Sequence, residues 1–418
     1  MRASGQDHLR LGAVCALALA VSLPIALISL GKLVLLCTFV WLLAASPEMR
    51  RAVMAKNLGL HRLIYLAMAA FALSALWSSG SGAAIGKSLS QHGNLLVLPL
   101  VFFLSKTRRD SVIALQVFMA GQLVLLLGTW ALYLNLPVPW AQLGQAHDGT
   151  QYAVFSTYLD QSIMTAVFGA VVWHLRELIP APIRTASVAL VTGLAIGAIF
   201  AIFIGRTGYV LATALVSLAI YWELPSRWRL TALLVPLALA VLVSLVAPQA
   251  QQRALLVKTE VTALMRGASP DAGETSSGVR MNFWKNSLLA IQKQPWIGHG
   301  AGSWSSQYDA LQPASALPGY VPTAGNPHQE YLLWGVELGL PGLALLLGIF
   351  IAVWRLSNSF EQQARRAAQS VLAATMMACL FNCALLDALI GDFLCMSLAL
   401  VLNFGLHPAA PADQTQTK

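Results

Sequence analysis

Three short stretches of this chain carry residues whose types and spacing could do chemistry. Arg206, in Ile204-Gly205-Arg206-Thr207-Gly208-Tyr209, is the sole charge between Ala186 and Trp222. A cation in so apolar a run points to an acidic or phosphate partner. An interfacial Arg that snorkels to lipid headgroups is an equal alternative. Arg280, in Ser277-Gly278-Val279-Arg280-Met281-Asn282-Phe283-Trp284-Lys285, opens an amphipathic helix that ends near Gln292, and it shares a face with Trp284. His328, in Asn326-Pro327-His328-Gln329-Glu330-Tyr331, follows a good N-cap and a proline suited to the first helical position. That places His328 in a first turn, where free amides favour an anion and disfavour imidazolium. Lone histidines are usually structural, so the weight rests on the combination.

Two guanidiniums can hold a diphosphate bidentately, with a fork geometry that Lys lacks. A neutral His beside them can take a proton near pH 7. Together they suit transfer from a lipid-linked diphosphate donor, with the arginines on the leaving diphosphate and His328 as base towards the attacking hydroxyl.

Other motifs are weaker. Pro295-Trp296-Ile297-Gly298-His299-Gly300-Ala301-Gly302 has three glycines at alternate positions. These would let backbone amides approach a ligand, although a plain glycine-rich turn is the more ordinary reading. Gly80-Ser81-Gly82-Ala83-Ala84-Ile85-Gly86-Lys87-Ser88 imitates a phosphate-binding loop, but its spacing is wrong and no strand precedes it. Asp271 and Glu274 sit in a turn-like loop and read as solvated rather than metal-binding. No metal or other cofactor is expected, and fixed cations take the place of a metal.

The elements that must position these residues are membrane helices. The chain has 418 residues, 57% of them hydrophobic and only 10% charged, against roughly 25% charged in soluble domains. Apolar runs of span length fall at about 11–28, 30–46, 61–79, 89–105, 111–134, 158–178, 184–204, 207–223, 229–247, 328–354, 366–385 and 388–406. Residues 1–30 resemble a signal peptide but lack a small-residue cleavage site, so they read as part of a retained helical hairpin. The five cysteines all lie in apolar runs and suggest no disulfide framework. The pair Cys379 and Cys383 reads as small buried hydrophobes.

With both ends cytoplasmic, most of the 26 Lys and Arg residues fall on the inner side, while the short outer loops hold only Lys32, Lys87 and Arg206. The net charge of +9 is then topological, from cations meeting anionic headgroups, and implies no nucleic acid. The expected organisation is spans 1–9 in 1–247, a periplasmic loop domain with short helices in 248–327, spans 10–12 in 328–406 and a cytoplasmic tail in 407–418.

At these residues the sequence resembles the O-antigen ligase and polymerase superfamily of bacterial envelope proteins. The likeness lies in Gly205-Arg206, in Arg280 through Trp304 with Pro295, Gly298, Gly300 and Gly302, and in Pro327-His328, in matching order. It implies an all-α, GT-C-like integral-membrane glycosyltransferase of the inner membrane with its site on the periplasmic face. The donor is implied to be an undecaprenyl-diphosphate-linked glycan, and in the ligases the acceptor is a sugar hydroxyl of the lipid A core. Carried over, Arg206 and Arg280 bind the donor diphosphate and His328 is catalytic, with metal-independent inversion at the anomeric carbon.

This chain departs from many relatives in having Gly205 where they have Ser and Gln329 where they often have Asn. Gln329, Trp284 and Asp387 are possible supporting residues; Asp387 could orient an Arg or the acceptor, or merely cap a turn. A polymerase and a protein O-oligosaccharyltransferase share the donor, and the compact length leans towards a ligase. A glycolipid transporter or flippase is the alternative of another class, disfavoured because no paired repeat and no helices broken in matched halves are visible.

Overall fold

The computed structural model describes residues 2–55, 58–143, 152–203, 205–234, 238, 276–311 and 325–408. The described residues form helices and turns, with no strand among them. In chain order the α-helices are α1 (Arg2–Ala20), α2 (Ile25–Ala45), α3 (Pro47–Ala55), α4 (Gly59–Ser74), α5 (Gly82–His92), α6 (Val97–Leu104), α7 (Arg108–Tyr133), α8 (Tyr158–His174), α9 (Ala181–Gly197) and α10 (Arg206–Glu223). They continue as α11 (Ser276–Lys293), α12 (Trp304–Leu311), α13 (Glu330–Ser357), α14 (Gln362–Phe381) and α15 (Ile390–Leu406). Among the described residues four helices are long and apolar enough to cross a membrane, or five if α3 and α4 form one bent span. Helices underlie the other expected spans, but most of 229–247 lies outside the described residues, as do Asp271 and Glu274.

Local chemistry sets several helix ends. Thr107 and Asp110 form a reciprocal capping box at the start of α7. The stretch that imitates a phosphate loop is the start of α5, with Ser81 accepting from the Ala84 amide at 3.2 Å. Gly208 lets α10 lie directly on α8, since a Cβ there would be 2.4 Å from Ser162 Oγ. Helices α8, α10 and α14 pack on one another. At one end of this trio Arg366 donates to Glu223 at 3.1 Å and to the Trp222 carbonyl at 2.7 Å, while Arg176 donates to Glu223 at 3.4 Å. Nearly five turns away, the opposite ends of the same helices present Tyr158, Arg206 and Asn382.

The apolar run expected to span 328–354 as one helix is broken. Gly339 has φ 71 and ψ −165 inside α13, and Pro341 follows. Proline has no amide to offer the Glu337 carbonyl, and the Leu340 amide turns away to the Pro295 carbonyl at 2.7 Å. The carbonyls of Val336 and Glu337 would therefore be orphaned in an apolar interior. They accept instead from the His299 amide at 2.8 Å and the Gly300 amide at 2.9 Å.

This settles the glycine-rich turn. The Gly298 amide donates to Gln294, Ala301 to Ser74 Oγ, Gly302 to Glu337 Oε1 and Ser303 to Gly300, so the amides of 298–303 all have protein partners. The turn is a structural clasp between α13 and the α4–α5 connection, not a cradle for a ligand. Gly298, Gly300 and Gly302 all have positive φ, and a Cβ on Gly300 would stand 2.4 Å from Ser78 Cα. Gly300→Ala should therefore lower the yield of folded protein and its thermal midpoint sharply, whereas Gly193→Ala, with nothing within 4 Å of the new carbon, should leave both unchanged in a thermal unfolding assay.

Candidate active site

The site is assembled from one end of the α8, α10 and α14 bundle and from a second small core. Phe283, Ala290, Trp304 and Tyr308 of α11 and α12 pack with Leu333 and Val336 of α13 and with Cys383 and Leu386 of the turn after α14. Phe283 meets Trp304 edge-on at 5.2 Å and Tyr308 at 5.0 Å, and Trp304 Nε1 donates to Ser287 Oγ at 2.8 Å. This core fixes α11, hence Arg280, against the segment that carries His328.

His328 is not in a helical first turn. Helix α13 begins at Glu330, and His328 has φ 51, a left-handed conformation that non-glycine residues seldom adopt. The reason lies in Asn326, whose Oδ1 accepts from the His328 amide at 2.9 Å, so its side chain closes a turn instead of capping the helix. Trp284 Nε1 donates to the Pro327 carbonyl at 3.2 Å, and the Phe283 ring stacks on His328 with centroids 6.2 Å apart. Strain of this kind is found where surrounding contacts over-determine a residue, often at functional sites.

The tautomer of His328 follows from its neighbour. Asn382 Oδ1 accepts from the Cys383 amide at 3.0 Å, and a backbone N–H can only donate, so that atom is the oxygen. The same oxygen is 3.1 Å from His328 Nδ1. Nδ1 therefore carries the proton, and the lone pair of Nε2 is left for a ligand.

Electrostatics joins the three sequence-selected residues. Burial pushes the Arg280 guanidinium below its ordinary range, the positive charge of Arg206 pushes it further, and Tyr158 opposes both. Among the described residues no carboxylate pairs with Arg280. Burial also lowers the His328 pKa; the Asn382 hydrogen bond raises it and the charge of Arg280 lowers it again. Arg206 itself is presented by the first turn of α10, after a π-helical turn at Ala198–Ile202. Tyr209 pins that turn through its hydroxyl, 2.8 Å from the Phe203 carbonyl. The Gly205 site leaves ordinary room for a Ser side chain, whose Cβ would be 3.4 Å from Ser162 Oγ.

The supporting residues separate. Trp284 positions Pro327, as above. Gln329 precedes α13 and its buried Oε1 has no hydrogen-bond partner. Asp387 caps α15 by accepting from the Leu389 amide at 2.9 Å and the Ile390 amide at 3.0 Å.

Asn382, Tyr158, Glu330 and Glu337 were missed by sequence reasoning. Glu330 is fully buried and accepts from the Leu385 and Leu386 amides at 3.0 and 3.3 Å and from Trp334 Nε1 at 3.0 Å. It thereby ties the residue two places after His328 to the turn that carries Asn382. Two carboxylates seven residues apart in an apolar run were a legible signal for Glu330 and Glu337; a single Asn between spans was not.

The described chain is thus an all-helical protein of multi-pass membrane type, with a cationic, histidine-bearing site at one end of its bundle. Residues 191–347 match the model of the family described as O-antigen ligase, a likeness that covers 157 of the 418 residues. The matched stretch contains Arg206, Arg280 and His328. A protein of Haemophilus influenzae described as uncharacterized is 30% identical over 77 residues, which cover 18% of this chain and 19% of the relative. The likeness thus spans about a fifth of that relative's length.

The lowered His328 pKa has a definite sign. The unfolded chain protonates its histidine near 6.5 while the folded chain refuses the proton until lower pH, so this group's contribution is full above 6.5 and is lost as pH falls through the folded value. Nitrogen-15 NMR of histidine-labelled protein should show His328 protonated on Nδ1 and titrating below 6.5; a midpoint at or above 6.5, or an Nε2–H tautomer, would contradict the geometry.

Proposed function

We propose that this protein is an O-antigen ligase that transfers a glycan from undecaprenyl diphosphate to a sugar hydroxyl of the lipid A core, completing lipopolysaccharide. One observation carries the reading: Trp284 and Phe283 hold α11, which bears Arg280, against the His328 turn, and the charge of Arg206 reaches Arg280, within one family-matched stretch. Two guanidiniums held close, one of them without a carboxylate partner among the described residues, favour a ligand with two adjacent negative groups, and a diphosphate is such a ligand.

In the reaction the acceptor oxygen attacks the anomeric carbon from the face opposite the diphosphate. The bond from that carbon to the phosphate oxygen breaks, and the configuration inverts. His328 Nε2 takes the hydroxyl proton, and undecaprenyl diphosphate leaves with its charge balanced by Arg206 and Arg280. The chain works in the bacterial inner membrane with twelve spans, both termini in the cytoplasm, and 248–327 as the periplasmic loop domain. It requires neither metal nor other cofactor.

Purified protein in vesicles, given undecaprenyl-diphosphate-linked glycan with and without lipid A core, tests this. Glycosylated core and free undecaprenyl diphosphate should appear only when core is present. Elongated lipid-linked glycan without core would instead make it a polymerase, and no bond cleavage at all would make it a transporter. His328→Ala should slow transfer by about 100-fold or more. Arg280→Gln should weaken donor binding by about 10- to 100-fold, the range of a hydrogen bond to a charged group, and Arg280→Lys should restore only part of it.

A further inference from the structure

The break in α13 divides it into two parts of different character. From Tyr331 to Gly339 no residue is exposed, whereas from Leu340 onward an apolar stripe opens along one face: Leu340, Ala344, Leu347, Ile351 and Trp354. These recur at helical spacing, and on a membrane-crossing helix such a stripe faces lipid. The part Leu340–Ser357 is about 18 residues, by itself sufficient to cross a hydrocarbon core. Trp354 and Arg355 stand near its far end as an interfacial pair.

At the head of this stripe sits the turn before the glycine clasp. The Pro295 carbonyl holds the Leu340 amide at 2.7 Å, which fixes the next two residues beside Leu340. Those residues are Trp296, 71% exposed, and Ile297, 57% exposed, a large apolar pair that the bundle leaves uncovered. Helix α11, which leads into the turn, exposes Met281, Leu288 and Leu289 together with Lys285 and Lys293. It contains no acidic residue. An apolar face mixed with cations and free of carboxylates fits the boundary between acyl chains and anionic headgroups.

We propose that Trp296, Ile297 and the C-terminal end of α11, with Leu288, Leu289 and Lys293, dip into the outer-leaflet interface of the membrane, so that the hydrocarbon boundary lies at the Gly339 break and not at the start of α13. The occupant of this patch is lipid, because the patch continues the lipid-facing stripe of α13 without interruption. The inference rests on the chain spanning a membrane, and it holds whatever reaction the site performs. One consequence is that Glu330 and Glu337 are enclosed by protein above the acyl chains. His328, two residues before the helix, stands about 15 Å from the boundary, on the water side of the headgroup layer.

The test is a depth measurement. With Cys15 and Cys37 replaced by Ser, the remaining cysteines are buried, and a nitroxide can be placed through Ile297→Cys in the full-length protein in lipid vesicles. Leu347→Cys serves as the lipid reference and Asp309→Cys as the water reference, since both positions are exposed. The label at 297 should collide with oxygen several-fold more than with a water-soluble nickel chelate, approaching the behaviour of 347. Collision dominated by nickel, as at 309, would overturn the proposal. Shielding from both reagents would overturn it equally, by showing that a protein partner covers the patch.

Discussion

The carbonyls of Val336 and Glu337 must be answered from outside their own helix, because Pro341 has no amide and the Leu340 amide is turned to Pro295. Most of the architecture follows from that requirement. The answering amides come from His299 and Gly300, which draws the segment after α11 into the bundle. Three positive-φ glycines let its backbone approach without clash. The Glu337 carboxylate reinforces the joint, taking Ser88 Oγ at 2.9 Å and the Gly302 amide at 2.9 Å. With the clasp in place α11 has a fixed base, and Arg280, Phe283 and Trp284 are delivered to the His328 turn.

The site itself is a set of controlled conflicts. Two guanidiniums repel each other in partial burial, and a histidine beside them is held neutral by desolvation and by Arg280. Such an arrangement disfavours the charged forms of Arg280 and His328. The opposite end of the bundle shows the contrast: there Arg176 and Arg366 share Glu223, and Arg108 holds the carbonyls of Phe404 and His407 at 2.9 Å each. Cations at that end are held by protein carboxylates and carbonyls.

Much of this was legible in the sequence. Hydropathy located the helices because an apolar solvent leaves the chain few other options, and Arg206, Arg280 and His328 were visible as charges or titratable groups in revealing places. What was not legible came from pairings distant in sequence. The break at Gly339 is hidden inside an apolar run, since glycine and proline are tolerated in spans. The left-handed turn at His328 depends on Asn326 bonding the wrong amide for a helix cap. Asn382, which decides the tautomer, lies 54 residues from His328, and no local pattern marks it. The glycines at 298, 300 and 302 were conspicuous, but only the partners of their amides distinguish a clasp from a cradle.

The backbone at His328 also decides how a replacement there would be understood. With φ at 51, an alanine at this position loses the imidazole and also inherits a conformation it tolerates poorly. Asparagine and glycine accept that conformation with little penalty, and asparagine cannot act as a base. A chain with Asn at 328 therefore separates loss of a proton acceptor from collapse of the turn, and a β-branched residue would do the reverse. Tolerance of residue types at 328 is set jointly by proton chemistry and by torsion, and the two demands select different amino acids.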